Sequence, residues 1–461
     1  HQHPFGNSGV VESVTSIPSG TEDQVYLSVK RTINSSTVRH IVYLKSFNFE
    51  QKIRNAFFLD SGVTFQNTAK TITGVSLSTD QVSSVTIDHQ TLTVTSSSHG
   101  FSNGDTVIIE DVVGMTELNG DSFTVFNSQT NTFELANPAT KSIKSITKAN
   151  PANINIDNHG FATNDQIAIF DIVGMTTVNN TGVIVTKVDD NNFTIGVDLS
   201  AASGFPSAKV NNGSGISSGA TVIDIDTVSG TISTGMVVTG TNIASGTTVV
   251  ALAGQSKITL STGTTGAIAD DADLVFLPNS GVVRKATNGT PFTTYISGGE
   301  VRKKISSITG VNHLEGETVA VLVDGASHAD KTVTNGNITL DRSGGVIHVG
   351  YNFDSLVETL RMEAGADDGI SQGKIKRIHG VTARFIDTVG AETGPDLNNL
   401  DRMPFRDSSM PMDGAIPLFN GDKEIFFPSG YDNDAQVIIR QNQPLPMTIL
   451  AIMRRSNTFD A

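Results

Sequence analysis

The chain has 461 residues, with 31 basic and 46 acidic side chains and a formal net charge of −15. It contains no cysteine and no tryptophan, and only 17% of its residues are charged. That excludes a disulfide framework and any Cys-ligated metal centre, argues against a protein that grips nucleic acid with basic patches, and is unlike a disordered acidic tail.

At about 100–200 residues per domain, this length suggests about three to four domains. Apolar stretches such as 447–453 fall far short of the ~20 residues that a membrane helix needs. The first residue is His1 rather than Met. The expectation is that an N-terminal part has been removed or that a longer polypeptide precedes it. No secretory signal is expected at the start.

The pattern is β nearly throughout. Val25–Ile33 reads as a strand of period two, 34–36 as a turn, and Val38–Leu44 as its hairpin partner. The phrase Ile72-Thr-Gly-Val75 returns as Ile308-Thr-Gly-Val311. The simplest reading makes 76–307 an insertion in a host domain, with its ends close together at a surface loop.

Within that stretch lies an internal repeat at an offset of 60. His99, Gly100 and Phe101 recur as His159, Gly160 and Phe161. Asp105 matches Asp165, and Asn119 matches Asn179. Val113-Gly114-Met115-Thr116 matches Val173-Gly174-Met175-Thr176, and Phe133 matches Phe193. Each unit reads as a small β module whose glycines serve positive-φ turns and whose Phe and Met fill a core. A Gly/Thr-rich stretch at about 213–275 reads as a third module. Only 353–362 suits a helix, with Gly365 to stop it.

The expected domains are therefore 1–75, the end of a β platform and the start of a core; 76–149 and 150–210, the two repeats; 211–307, the third module and a return linker; and 308–461, the C-terminal core. The expected fold class is all-β and multi-domain, with at most one short helix.

Chemistry is scarce. Gly215-Ile-Ser-Ser-Gly219 matches G-x-S-x-G, but that motif works between a strand and a helix, so it reads as a turn. Asp270, Asp271 and Asp273 lack the glycine and distal Glu of a calcium loop. His99 and His159 have no companion ligands, and a structural hydrogen bond is the expected role. Arg302-Lys-Lys304 reads as a solvated strand edge. Strand alternation puts Lys374 and Lys376 on the face opposite Arg377. No catalytic, metal or cofactor residue is expected.

Several phrases are nonetheless distinctive. Residues 11–18, 21–27 and 30–34 resemble part of the tail nozzle, or tail tubular protein B, of short-tailed bacteriophages. So do 313–319, Asp324-Gly325, 371–377, 417–424, 430–432 and 443–453. The resemblance covers about 10–75 and 309–455. The repeats instead resemble the small β domain called FCCH, known from ubiquitin-activating enzymes, without any residues of adenylation chemistry.

The nozzle resemblance implies a homohexameric tube through which the genome leaves, with propeller-like and barrel-like β regions and a virion tail location. It implies as partners further copies of the chain, an adaptor and fibres, DNA passing without sequence-specific binding, and a host surface. Basic lumen residues would pin phosphates, so an acidic wall suits passage. The segment 76–308 holds 11 basic and 20 acidic residues, net −9, which leaves −6 of the −15 for the rest. The C-terminal run, with Leu445, Met447, Ile449, Leu450 and Ile452, is the expected oligomer contact. A tail fibre or adhesin is the alternative, and a depolymerase stands third. Without tryptophan, sugar platforms are poorly served.

Overall fold

The computed structural model describes residues 9–20, 22–45, 48–79, 90–137, 140–172, 177–179, 181–202, 205–279, 281–285, 295–363, 365–366, 369–370, 373–408, 410, 414–427 and 430–459. The protein is all-β, and several of its sheets curl like half-barrels. Among the described residues the only helical pieces are three short 3-10 turns, at Ile53–Asn55, Thr116–Leu118 and Asn312–Leu314. The chain divides into two compact units: Ala69–Lys303, and His1–Thr68 with Lys304–Ala461.

Among the described residues, the unit Ala69–Lys303 contains three sheets. The first has seven strands in the order Lys70–Thr71, Glu300–Lys303, Thr106–Glu110, Ser122–Phe126, Thr132–Ala136, Gln90–Thr95 and Gly74–Thr79. The second also has seven: Lys141–Ser142, Val282–Lys285, Gln166–Phe170, Gly182–Lys187, Asn192–Ile195, Ala152–Asn155 and Ser145–Ile146. Position by position, the two orders are the same. The third sheet has six strands between Ser207 and Leu277.

The modules are nested. The third interrupts the second before its strand Val282–Lys285, and both interrupt the first before its strand Glu300–Lys303. The stretch expected to be a return linker therefore supplies a strand to each repeat. Each module buries its own core. Leu92, Val94, Phe133 and Val301 belong to the first, Ile154, Phe193 and Val283 to the second, and Ile223, Ile258 and Phe276 to the third. Phe126 and Ala136 of the first module meet Ala168 and Phe170 of the second in a small shared cluster.

The expected insertion boundaries shift outward at one end and inward at the other, to 69 and 303. Ile72 and Val75 belong to the first module's core, whereas Ile308 and Val311 belong to a core of the other unit. The two matching phrases are thus not the two sides of one insertion point. The unit still carries 11 basic and 20 acidic residues, net −9, because Lys70 enters as Lys304 leaves.

The other unit holds long strands. Glu22–Ile33 and Ser36–Tyr43 form a hairpin across Asn34 (φ 45°) and Ser35 (φ 63°), the left-handed pair of a type I′ turn. Val10–Ser19 pairs along its outer side. A four-stranded sheet runs Ala326–Thr332, Thr318–Val323, Val346–Tyr351 and Asp60–Gln66. A three-stranded sheet runs Phe419–Phe426, Ile375–Thr388 and Thr448–Phe459.

The expected helix at 353–362 is a strand instead. Ser355–Glu358 pairs with Ile438–Gln441, and the Thr359 amide donates to the Val437 carbonyl. A neighbouring strand offers ladder partners to a segment whose Ser355, Val357 and Thr359 suit an extended chain.

Candidate functional site

The repeated His-Gly-Phe turns have the same construction in both modules. Gly100 (φ 72°) and Gly160 (φ 71°) take the left-handed conformation that favours glycine. This lets each histidine fold back on its own chain. His99 Nδ1 accepts the Phe101 amide at 3.0 Å, and His159 Nδ1 accepts the Phe161 amide at 2.9 Å. Nε2 donates to a carbonyl, that of Thr132 at 3.3 Å in the first module and that of Asp189 at 2.8 Å in the second. Both ring nitrogens are engaged and both rings are buried, so neither histidine offers a metal a lone pair. Each ring stacks on its Phe and meets Phe133 or Phe193 edge-on at 5.0 Å.

The other repeated positions are also structural. Asn119 brackets Val112, accepting its amide at 2.8 Å and donating to its carbonyl at 2.9 Å. Asn179 does the same to Ile172, at 2.9 and 2.7 Å. Gly114 has a φ of 94°, and Met115 is buried. Gly174 and Met175 lie outside the described residues.

The strands that complete the two modules escaped the sequence reading. Gly281-Val-Val-Arg-Lys285 and Gly299-Glu-Val-Arg-Lys303 share four of five residues at an offset of 18. Lys70-Thr-Ile72 and Lys141-Ser-Ile143 likewise match at an offset of 71. The signal was present, but nesting changes the offset of the closing strands to 18, and the longer stretch between Thr79 and Gln90 than between Ile146 and Ala152 changes that of the opening strands to 71. Within the basic run, Arg302 pairs with Glu300 at 2.7 Å and Lys303 with Asp105 at 2.6 Å. Those two side chains are therefore neutralised rather than offered to phosphate.

Other singled-out residues also have partners. Ile216, inside the G-x-S-x-G match, bridges to Ile268, and the described residues 217–279 that follow hold no helix. Asp270 accepts the Asn212 amide, and Asp273 and Asp224 pair with Lys209 and Lys257. Lys376 is buried, its Nζ donating to the Asn433 carbonyl at 2.7 Å, while Arg377 lies outward over Tyr431. Among the described residues no group of three His, Cys, Asp or Glu side chains could hold a metal ion.

The C-terminal run divides. Leu445 is buried against Leu59, Leu322 and Val389. Met447, Ile449 and Ile452 pack on the core around Val381 and Phe385. Leu450 is 61% exposed. It is the extra residue where Arg384 pairs with Ala451 and Phe385 with Ile449, so the bulge turns it outward.

In the same unit, Arg31 and Asp60 form a buried ion pair at 2.5 Å. Nearby, the Ser61 hydroxyl meets His40 Nδ1 at 2.7 Å, and His313 Nε2 donates to the Ser61 carbonyl at 3.2 Å. Burial, followed by the charges of His313 and Arg31, lowers the pKa of His40. His348 is enclosed, with Nε2 donating to the Arg54 carbonyl and Nδ1 facing the Thr64 hydroxyl, both at 2.8 Å. Burial lowers its pKa to about 4. Asp324 and Gly325 take left-handed φ values of 51° and 80° at a hairpin tip, and Asp324 Oδ1 accepts the amides of Gly345 and Val346 at 2.8 Å each.

A family model matches in one region of the chain. Residues 89–148 are similar to the ubiquitin-activating enzyme E1 FCCH domain. The match is 60 residues of the 461 and falls within the first repeat and the start of the second module. It covers the His99-Gly-Phe turn, Asn119 and Phe133. No curated protein matches the chain.

Proposed function

We propose that the chain is a structural component of a short-tailed phage tail, a homo-oligomeric nozzle through which DNA leaves, decorated by FCCH-like modules. One observation carries this reading. The nozzle-like phrases, separated by more than 230 residues of chain, all belong to one compact unit, and the repeats belong to the other. A tube component with an accessory insertion would have that organisation. The unlike origins of the two sets of phrases would then match a physical division.

The electrostatics are compatible with passage rather than binding. The nozzle-like unit carries net −6 and the inserted unit net −9. Several of its arginines are spent on carboxylates, including Arg31 on Asp60, Arg384 on Asp422 and Arg440 on Glu392. Each such pair offsets a positive charge that would otherwise displace counterions from phosphates.

The reading is tested by the symmetry of the assembled particle. Electron microscopy should show six-fold rings with a channel about as wide as a ~20 Å duplex, of the kind that admits B-DNA. Trimers that bind glycans would overturn it in favour of a fibre. The outward side chain of the C-terminal run gives a finer test. Leu450→Asp should disrupt rings while leaving the thermal melt of the chain unchanged, because it removes no buried contact. Intact rings in that variant would exclude this strand as the contact.

A further inference from the structure

The two modules that share a strand order are each completed by a strand arriving from far along the chain. In the first, Glu300–Lys303 lies between Lys70–Thr71 and Thr106–Glu110. In the second, Val282–Lys285 lies between Lys141–Ser142 and Gln166–Phe170. Each enters a slot with a hydrogen-bonding strand on both sides.

The two slots read their strands in the same way. Val301 lies opposite Ile109, and Val283 opposite Ile169, and both valines are fully buried. Lys303 pairs with Asp105 at 2.6 Å, and Lys285 with Asp165 at 2.7 Å. The carbonyls of Gly299 and Gly281 accept the amides of Ile72 and Ile143, each at 2.9 Å. Both glycines have left-handed φ, 107° and 112°. A Cβ on Gly299 would lie 2.7 Å from Val112 Cγ2, and one on Gly281 2.6 Å from Ile172 Cγ1, at equivalent repeat positions. Only the second residue differs. Glu300 faces Glu110, and Arg302 hydrogen-bonds Glu300 at 2.7 Å with its Nε 3.9 Å from Glu110, whereas Val282 joins Phe170 in the cluster between the modules and Arg284 lies over the Phe170 ring.

We infer that these slots are one strand-binding site present in duplicate, specific for an extended Gly-x-Val-Arg-Lys segment, and that a second copy of this chain can supply that segment in trans. Exchange of identical contacts between copies costs little enthalpy, which is why swapping is an accessible route to association. In an assembly, the neighbouring strand is present at an effective concentration of order millimolar when its linker spans the sites. The inference does not depend on the nozzle reading.

The test uses the full chain. Val301→Asp places a carboxylate in the first core and opens that slot. A labelled peptide of residues 279–286, the other module's strand, should then bind the opened chain within about ten-fold of the cognate peptide 297–304, while the unaltered chain takes up neither. Gly281→Val in the first peptide should weaken it at least ten-fold. If Val301→Asp fails to fold, Lys303→Glu loosens the strand without entering the core, and peptide uptake is read by hydrogen exchange in 106–110. Binding of the cognate peptide alone would overturn the shared code, and binding of neither to a folded variant would overturn the site. The chain has no cysteine, so exchange between copies can be read directly. Chains carrying both Val301→Asp and Ile108→Cys, mixed with chains carrying Arg284→Cys, should form a mixed disulfide dimer. Its absence, or an equal yield with Thr239→Cys as partner, would overturn the role of the second copy.

Discussion

The two repeat modules are the same scaffold in two settings. They share a seven-strand order, a His-Gly-Phe turn, an Asn bracket and a lysine-locked closing strand. They differ where the setting differs. At the closing strand's second residue, the module whose strand end meets its neighbour has Val282 against Phe170, while the other has Glu300 against Glu110. At the histidine, Nε2 reaches the Thr132 carbonyl in one and the Asp189 carbonyl in the other, which are not equivalent positions of the repeat. What repeats is therefore what holds each module together, and what varies is what each one faces.

The largest expected effect tests that equivalence in the core. Phe133 and Phe193 are both fully buried and both touch a His and a Phe ring. Phe133→Ala and Phe193→Ala should each cost about 3–5 kcal/mol, the usual range for such a truncation. Chemical denaturation followed by circular dichroism measures both. Costs that differ by more than about 2 kcal/mol would break the comparison, since equal packing should relax equally.

A second test separates the two units. His348 lies in the unit that carries the nozzle-like phrases, and burial lowers its pKa from 6.5 to about 4. Below pH 6.5 the unfolded chain takes up a proton that the folded chain refuses. Stability contributed by this group is thus complete above pH 6.5 and is lost as pH falls from there towards 4. The gap between those two values corresponds to roughly 3 kcal/mol. His348→Gln should flatten this dependence in melts between pH 7 and 4. The repeat modules should keep their hydrogen-exchange protection across the same range if the units respond separately, and loss of both together would show that they unfold as one.

How much of this was legible in the sequence follows from where the contacts lie. The repeat was readable because its identities, from His99 to Phe133 and from His159 to Phe193, run at one unbroken offset. The β class was readable because alternation is a local property. The closing strands were not found, because their partners lie more than 100 residues away and the nested modules shift the spacing from 60 to 18. The strand at Ser355–Glu358 was misjudged for a related reason, since its ladder partner Ile438–Gln441 is about 80 residues distant. Leu450 could not be told from Ile449 by composition. A one-residue bulge sends one to solvent and the other to the core.

The smallest expected effect asks whether the lysine locks stabilise the modules or select their strands. Lys285 and Lys303 are about half exposed, while Asp165 and Asp105 are mostly covered. Each aspartate also accepts a backbone amide, from Ala162 or Ser102, at 2.9 Å. Those amides remain when the lysine is removed. Lys285→Ala and Lys303→Ala should therefore each cost no more than about 1 kcal/mol, as expected of partly exposed pairs, and less at high salt. Reversal to Glu should cost more than truncation, because it sets two carboxylates together at the strand's end. If truncation and reversal cost the same in both modules, the pair is inert and the valine and glycine alone choose the strand. If reversal is the costlier, the lysine acts chiefly by excluding wrong strands, which is how one charge can matter to specificity while adding little to stability.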